Sequence, residues 1–86
     1  MSREITFAHW RTVHWEKPTD KGIRYYAVRI HQDLWGGWVL TKTWGRRGTR
    51  LGRVVHTPCG SYQTALEELA RVHARREQRG YKVNSI

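Results

Sequence analysis

Between residues 23 and 34 apolar and polar side chains fall on alternate sides: Tyr26, Val28 and Ile30 on one face, Tyr25, Ala27, Arg29 and His31 on the other. A period of two is the signature of a strand with one face buried. A looser alternation over 7–16 sets Trp10, Thr12 and His14 against Arg11, Val13 and Trp15 and predicts an earlier strand. The polar run 17–22 carries both Pro18 and Gly22 and reads as the turn between them. Gly36-Gly37 within 33–37 predicts a hairpin leading into a third strand over 38–44. A shorter fourth strand over 50–56 follows a turn at Gly48; Val54 and Val55 favour extended backbone, and Gly52 suggests a bulge or a close backbone approach.

The period then changes. Residues 57–60, with Pro58 and Gly60, read as a break, after which Ser61 is placed to cap a helix. Tyr62, Leu66, Leu69 and Val72, supported by Ala65 and Ala70, form one stripe at helical spacing. Glu67, Arg71, Arg75 and Arg79 recur every four residues, an exposed row in which Glu67 precedes Arg71 in the favourable order. Gly80 ends the helix, and 81–83 can return as a short edge strand. The expected fold is α+β: a small antiparallel sheet of about four strands with one helix packed on it, a single domain over 1–86 with its core in about 7–83.

Eighty-six residues make a thin core, which five Trp and four Tyr help to fill. Sixteen Lys and Arg against seven Asp and Glu give a formal charge of +9. That surface attracts polyanions, and most of the cations are Arg, suited to bidentate phosphate contacts and to stacking on rings. Cys59 is the lone cysteine, so no intramolecular disulfide can form, as suits a reducing compartment. No apolar run approaches the roughly 20 residues of a membrane span, and residues 1–7 lack the apolar centre of a signal peptide. The expectation is a cytoplasmic monomer with no membrane partner.

Trp44-Gly45-Arg46 stands where the third strand breaks into the basic turn Arg46-Arg47-Gly48-Thr49-Arg50. Lys42 and Trp44 share strand parity, and Arg46 shares it if the strand continues past Gly45. An aromatic face beside guanidinium groups suits stacking on a base or sugar while phosphate is gripped. The candidate site is therefore Lys42, Trp44, Gly45, Arg46, Arg47 and Arg50. Trp38 and Leu40 have the same parity, however, which leaves open that this whole face is core with Lys42 snorkelling to water. The five histidines lie at no spacing that makes a zinc site, no acidic pair is placed for proton transfer, and no phosphate loop or nucleophile elbow occurs. No enzyme, metal or cofactor is expected.

These pieces in this order resemble a WGR domain. Tyr25-Tyr26-Ala27-Val28 is similar to that family's aromatic strand, residues 42–49 to its central motif and Gly turn, residues 61–69 to its helix, and residues 79–83 to its closing Gly-Tyr segment. The resemblance implies an antiparallel sheet with a helix on one side, and nucleic-acid binding. In DNA-dependent poly(ADP-ribose) polymerases the module contacts DNA near a strand break. Its motif Trp stacks on a terminal nucleotide, and its motif Arg links DNA to neighbouring domains. Carried over, Trp44 stacks, Gly45 lets backbone come close, and Arg46 binds phosphate or a separate protein. These 86 residues leave no room for a transferase domain. Arg47 stands where the family often has an aliphatic residue. The expected partner is nucleic acid, DNA favoured over RNA and with ends or nicks as candidate targets; the alternative is an adaptor gripping an acidic protein.

Overall fold

The computed structural model describes residues 10–50 and 52–85. Five strands and one helix follow in the order β1 (Arg11–Thr19), β2 (Gly22–Gln32), β3 (Trp38–Arg46), β4 (Arg53–Cys59), α1 (Tyr62–Gln78) and β5 (Lys82–Ser85). The strands form one antiparallel sheet in the order β4-β3-β2-β1-β5, so the chain's last segment returns to the edge beside β1 and supplies a fifth strand.

The strand boundaries depart from the sequence reading in ways that pairing explains. Residues 7–9 of the first expected strand lie outside the described residues, as does Leu51 of the fourth. Pro18 does not begin a turn: β1 runs on to Thr19, because position 18 lies past Glu16, the last partner of β5, where a missing N–H interrupts no ladder. Pro58 is likewise inside β4 rather than in a break, opposite Val39, and is tolerated because β4 is an outer edge of the sheet. At the other end Leu34 is not in β2. It lies in a tight turn in which the Asp33 carboxylate accepts from the backbone N–H groups of Trp35 (2.9 Å) and Gly37 (2.8 Å).

The helix begins as its sequence dictates. Ser61 has extended backbone, and its hydroxyl accepts from the Thr64 N–H at 3.0 Å. It ends with Gly80 at φ +89, where Gly80 N–H donates to Glu77 O and Tyr81 N–H to Arg76 O. This paired closure needs a left-handed residue, and only glycine adopts that conformation without penalty.

One sheet face is covered by α1. Trp15, Val28, Ile30 and Leu40 are fully buried there, joined by Ala65 and Val72 from the helix and by Tyr81 just after it. The indole of Trp15 donates to His73 Nδ1 at 3.2 Å, so the polar atom of the largest buried side chain is satisfied. The helix crosses the sheet obliquely. Its first turn packs against Trp38 (Tyr62 ring, 4.8 Å between centroids), and its last turns reach Trp15 and Tyr26 on the inner strands. The corner of this face at the end of β3 and the start of β4 therefore stays uncovered.

Candidate nucleic-acid interface

The strand register builds the site in rows. Across β1, β2, β3 and β4, Trp15 pairs with Tyr26, Tyr26 with Trp44, and Trp44 with Arg53. Two residues further along, Lys17 pairs with Arg24 and Arg24 with Arg46. All of these share the parity of Trp15 and so stand on the helix side of the sheet. A row of aromatics is thus followed, about 7 Å away, by a row of cations. Arg46 keeps the parity of Lys42 and Trp44, because β3 runs through Gly45 without a register change. Along β3, Trp38 and Leu40 belong to the core, while Lys42, Trp44 and Arg46 emerge from under the helix into the open corner.

Trp44 is half-buried. Its ring stacks on Tyr26 at 5.6 Å between centroids and 13° between planes. Tyr26 in turn lies under the Arg76 guanidinium, 4.2 Å from the ring centroid, and Arg76 also faces Tyr81 at 5.1 Å. Such contacts are worth about 0.5–2 kcal/mol each and hold the cation in a fixed plane. Grooves open on two sides of the indole. One, of about 550 Å³, is formed with Tyr26 and Tyr81 by Lys17, Arg24, Arg76 and Arg79. The other, of about 250 Å³, is formed by Arg24, Arg46 and Arg53 with Gly45 and Thr49. Neither contains a carboxylate.

The remaining candidates are placed differently. Lys42 lies 3.6 Å from Glu68 and lines a third groove of about 310 Å³ with Arg71, Arg75 and Arg76. Glu68 also receives two hydrogen bonds from Arg71 (3.0 and 2.8 Å). Those bonds, aided by the nearby charge of Lys42, hold its carboxyl below the usual carboxylate range. The expected Glu67–Arg71 pair is replaced by this contact, since Glu68 sits where Arg71 and Lys42 converge; Glu67 instead accepts from Gln63. Arg47 forms an ion pair with Glu16, whose strand position points away from the helix, so it is drawn to the other side of the sheet. Arg50 is exposed in the turn and lines neither groove beside Trp44.

Gly45 has a packing role. A Cβ there would come within 3.1 Å of both Gly52 Cα and the Tyr25 hydroxyl, and one at Gly52 within 2.8 Å of the same hydroxyl. The two glycines let the β3–β4 turn close beneath Tyr25, which is the close backbone approach suggested for Gly52. Reading single residues missed Lys17, Arg24, Arg53 and the Tyr26–Arg76 stack. Parity alone could have found Arg24, two positions from Tyr26, and Lys17, two from Trp15.

Among the described residues no group of His, Cys, Asp and Glu could hold a metal ion, and no helix is long and apolar enough to cross a membrane. The fold and site define a small α+β module that displays a stacked aromatic pair inside a field of arginines. The chain belongs to the WGR domain family: the family model matches residues 11–85. That family is often linked to nucleic-acid binding, and the module is small and not itself catalytic. No curated protein and no solved structure matches the chain.

Proposed function

We propose that this chain is a non-catalytic nucleic-acid-binding module, DNA favoured over RNA, that stacks a terminal base or sugar on Trp44 while the row Lys17, Arg24 and Arg46 grips phosphate. The observation that carries the reading is the half-exposed indole standing between two cationic grooves that hold no carboxylate. Contacts of this kind read backbone and end shape more than base sequence. The non-catalytic part is supported by how four of the six described acids are engaged. Glu16 and Glu68 are in ion pairs with Arg47, Lys42 and Arg71, Glu77 lies beside His73, and Asp33 holds a turn.

The test is fluorescence anisotropy on labelled duplex with ends and on a closed circle, at several salt concentrations. About four neutralised phosphates correspond to a log–log salt slope of about −3 to −4. Trp44→Ala should cost about 1–3 kcal/mol on ended duplex, roughly 5- to 150-fold in affinity, and much less on the circle. Trp44→Phe, which keeps a ring on Tyr26, should lose less. A slope near zero removes the electrostatic part of the proposal, and equal losses on both substrates remove end recognition. A protein-adaptor reading has one observation in its favour: Leu34 and Trp35, at the far end of the β2–β3 hairpin, are 94% and 87% exposed on a braced turn. A partner retained after nuclease treatment and lost on Trp35→Ala would support it.

A further inference from the structure

The sheet face that α1 does not cover is built unlike an ordinary solvated strand surface. Across β1 to β4, register aligns Thr12, Arg29, Thr41 and His56 in one row. With Ala27 and Thr43 from the adjoining row, Thr12, Arg29 and Thr41 line a shallow groove of about 330 Å³. Arg29 is exposed and forms no ion pair among the described residues. The hydroxyls of Thr12 and Thr43 have no partner there either. An opposite charge directly across the strands is one way an exposed arginine on an antiparallel face is neutralised. Here Arg29 has threonines on both sides, and the carboxylate on this face, Glu16, is already held by Arg47.

Thr41 is the one hydroxyl already engaged. It lies 2.8 Å from both His31 Nε2 and His56 Nδ1, an arrangement that fixes both imidazoles at the rim of the groove. Ala27 forms a low floor between Arg29 and Thr43, so the guanidinium, with Thr12 directly opposite it, stands beside a depression rather than a bulky side chain. A guanidinium fork with a neighbouring hydroxyl donor is a donor set matched to a tetrahedral oxyanion.

We infer that the sheet face opposite α1 carries a second anion site, in which Arg29 and its cross-strand neighbour Thr12 bind a phosphate group at the rim of this groove, independently of the Trp44 grooves. The site lies on the opposite side of the sheet from Trp44 and does not rest on the nucleic-acid reading. The phosphate can be free or carried by a nucleotide, and the two sources give different results in one experiment. The 86-residue chain labelled with ¹⁵N is titrated with inorganic phosphate and, separately, with a nucleoside monophosphate, following the Arg29 Nε–H and the amides of Thr12 and Thr43.

Saturable shifts at these groups are expected with inorganic phosphate. They should persist in Trp44→Ala, weaken about tenfold in Arg29→Gln, and weaken less in Arg29→Lys, which keeps the charge but loses the fork. Thr12→Val, which keeps the strand-favouring shape, should weaken binding severalfold. Tighter binding of the monophosphate than of inorganic phosphate would assign the carried group, and equal binding the free ion. Linear, non-saturating shifts, or shifts unchanged by Arg29→Gln, would overturn the inference. Loss of duplex binding in Trp44→Ala with the phosphate response intact would leave the two sites separate, as proposed.

Discussion

Glu68 is the single carboxylate in the three helix-side grooves around Trp44 and Lys42, and replacing it should strengthen nucleic-acid binding. Glu68→Gln keeps the shape of the side chain, removes one negative charge and takes the formal charge from +9 to +10. Lys42, 3.6 Å away, and Arg71, at 2.8 Å, are then released from their shared partner. A phosphate gripped by Lys42 would stand roughly 7 Å from the former carboxylate. Repulsion at that distance is about 0.6 kcal/mol in water and about 2.4 kcal/mol at an effective dielectric of about 20. Screening at 0.1 M salt roughly halves these values, leaving about 0.3–1.2 kcal/mol, or roughly two- to eightfold in affinity. If Lys42 gains a phosphate, the salt slope on duplex should steepen by about 0.9. Loss of the exposed ion pairs should cost only about 0.2–1 kcal/mol of stability. The sign with pH is fixed by the depressed carboxyl. The stability its ion pairs contribute is present above the ordinary carboxylate range and lost as pH falls through the lowered value. Wild type and variant should therefore converge in acid. Anisotropy at four salt concentrations, with urea denaturation alongside, measures all of this. Weaker binding by Glu68→Gln, with the fold intact, would mean that the carboxylate takes part in recognition and that the groove is not a simple phosphate path.

Gly52→Ala should destabilise the domain by about 1–3 kcal/mol, because the new methyl meets the Tyr25 hydroxyl at 2.8 Å. Tyr25→Phe in the same chain removes that oxygen and should recover most of the loss in urea midpoint, whereas an additive double mutant would show that the clash lies elsewhere. His31 is held below the ordinary histidine value, first by burial and also by the charges of Arg29 and His56, so its neutral form belongs to the folded state. That contribution is complete above the unfolded value of about 6.5 and is lost as pH falls through the folded one. Urea midpoints should decline from pH 7.5 to 5, and His31→Gln should flatten the decline; an unchanged slope would remove His31 as its source.

Local signals were enough for much of this architecture. The alternation of β2, the Ser61 cap, the apolar stripe of α1 and the Gly80 stop each depend on neighbours within a few residues, and each stands where its pattern put it, except that Ala70, expected to support the stripe, is exposed. Apart from Leu34, which the local Asp33 turn removes from β2, the deviations discussed are non-local. Pro18 and Pro58 read as breaks because their tolerance depends on which strand lies alongside. Glu68, rather than Glu67, takes Arg71 because Lys42 approaches from another element. Arg47 is diverted by a carboxylate thirty-one positions earlier in the chain. The candidate site was legible as a parity, Lys42 with Trp44 and Arg46, but its depth was not. Arg24, Lys17 and Arg53 join it only once register is known, and Arg76 only once the helix is laid across the sheet.

The outer edge formed by β4 has a consequence for how copies of this domain can be crowded together. Val54 and Val55 are exposed on that edge, and bare backbone beside them would invite another chain to add on. Pro58 lacks one of the N–H groups that such an addition would need, and the rim on the far side, β5, is only four residues long. Many copies of the domain can therefore be packed closely, touching through side chains alone. The sheet is finite by construction, so local enrichment need not end in a fibre.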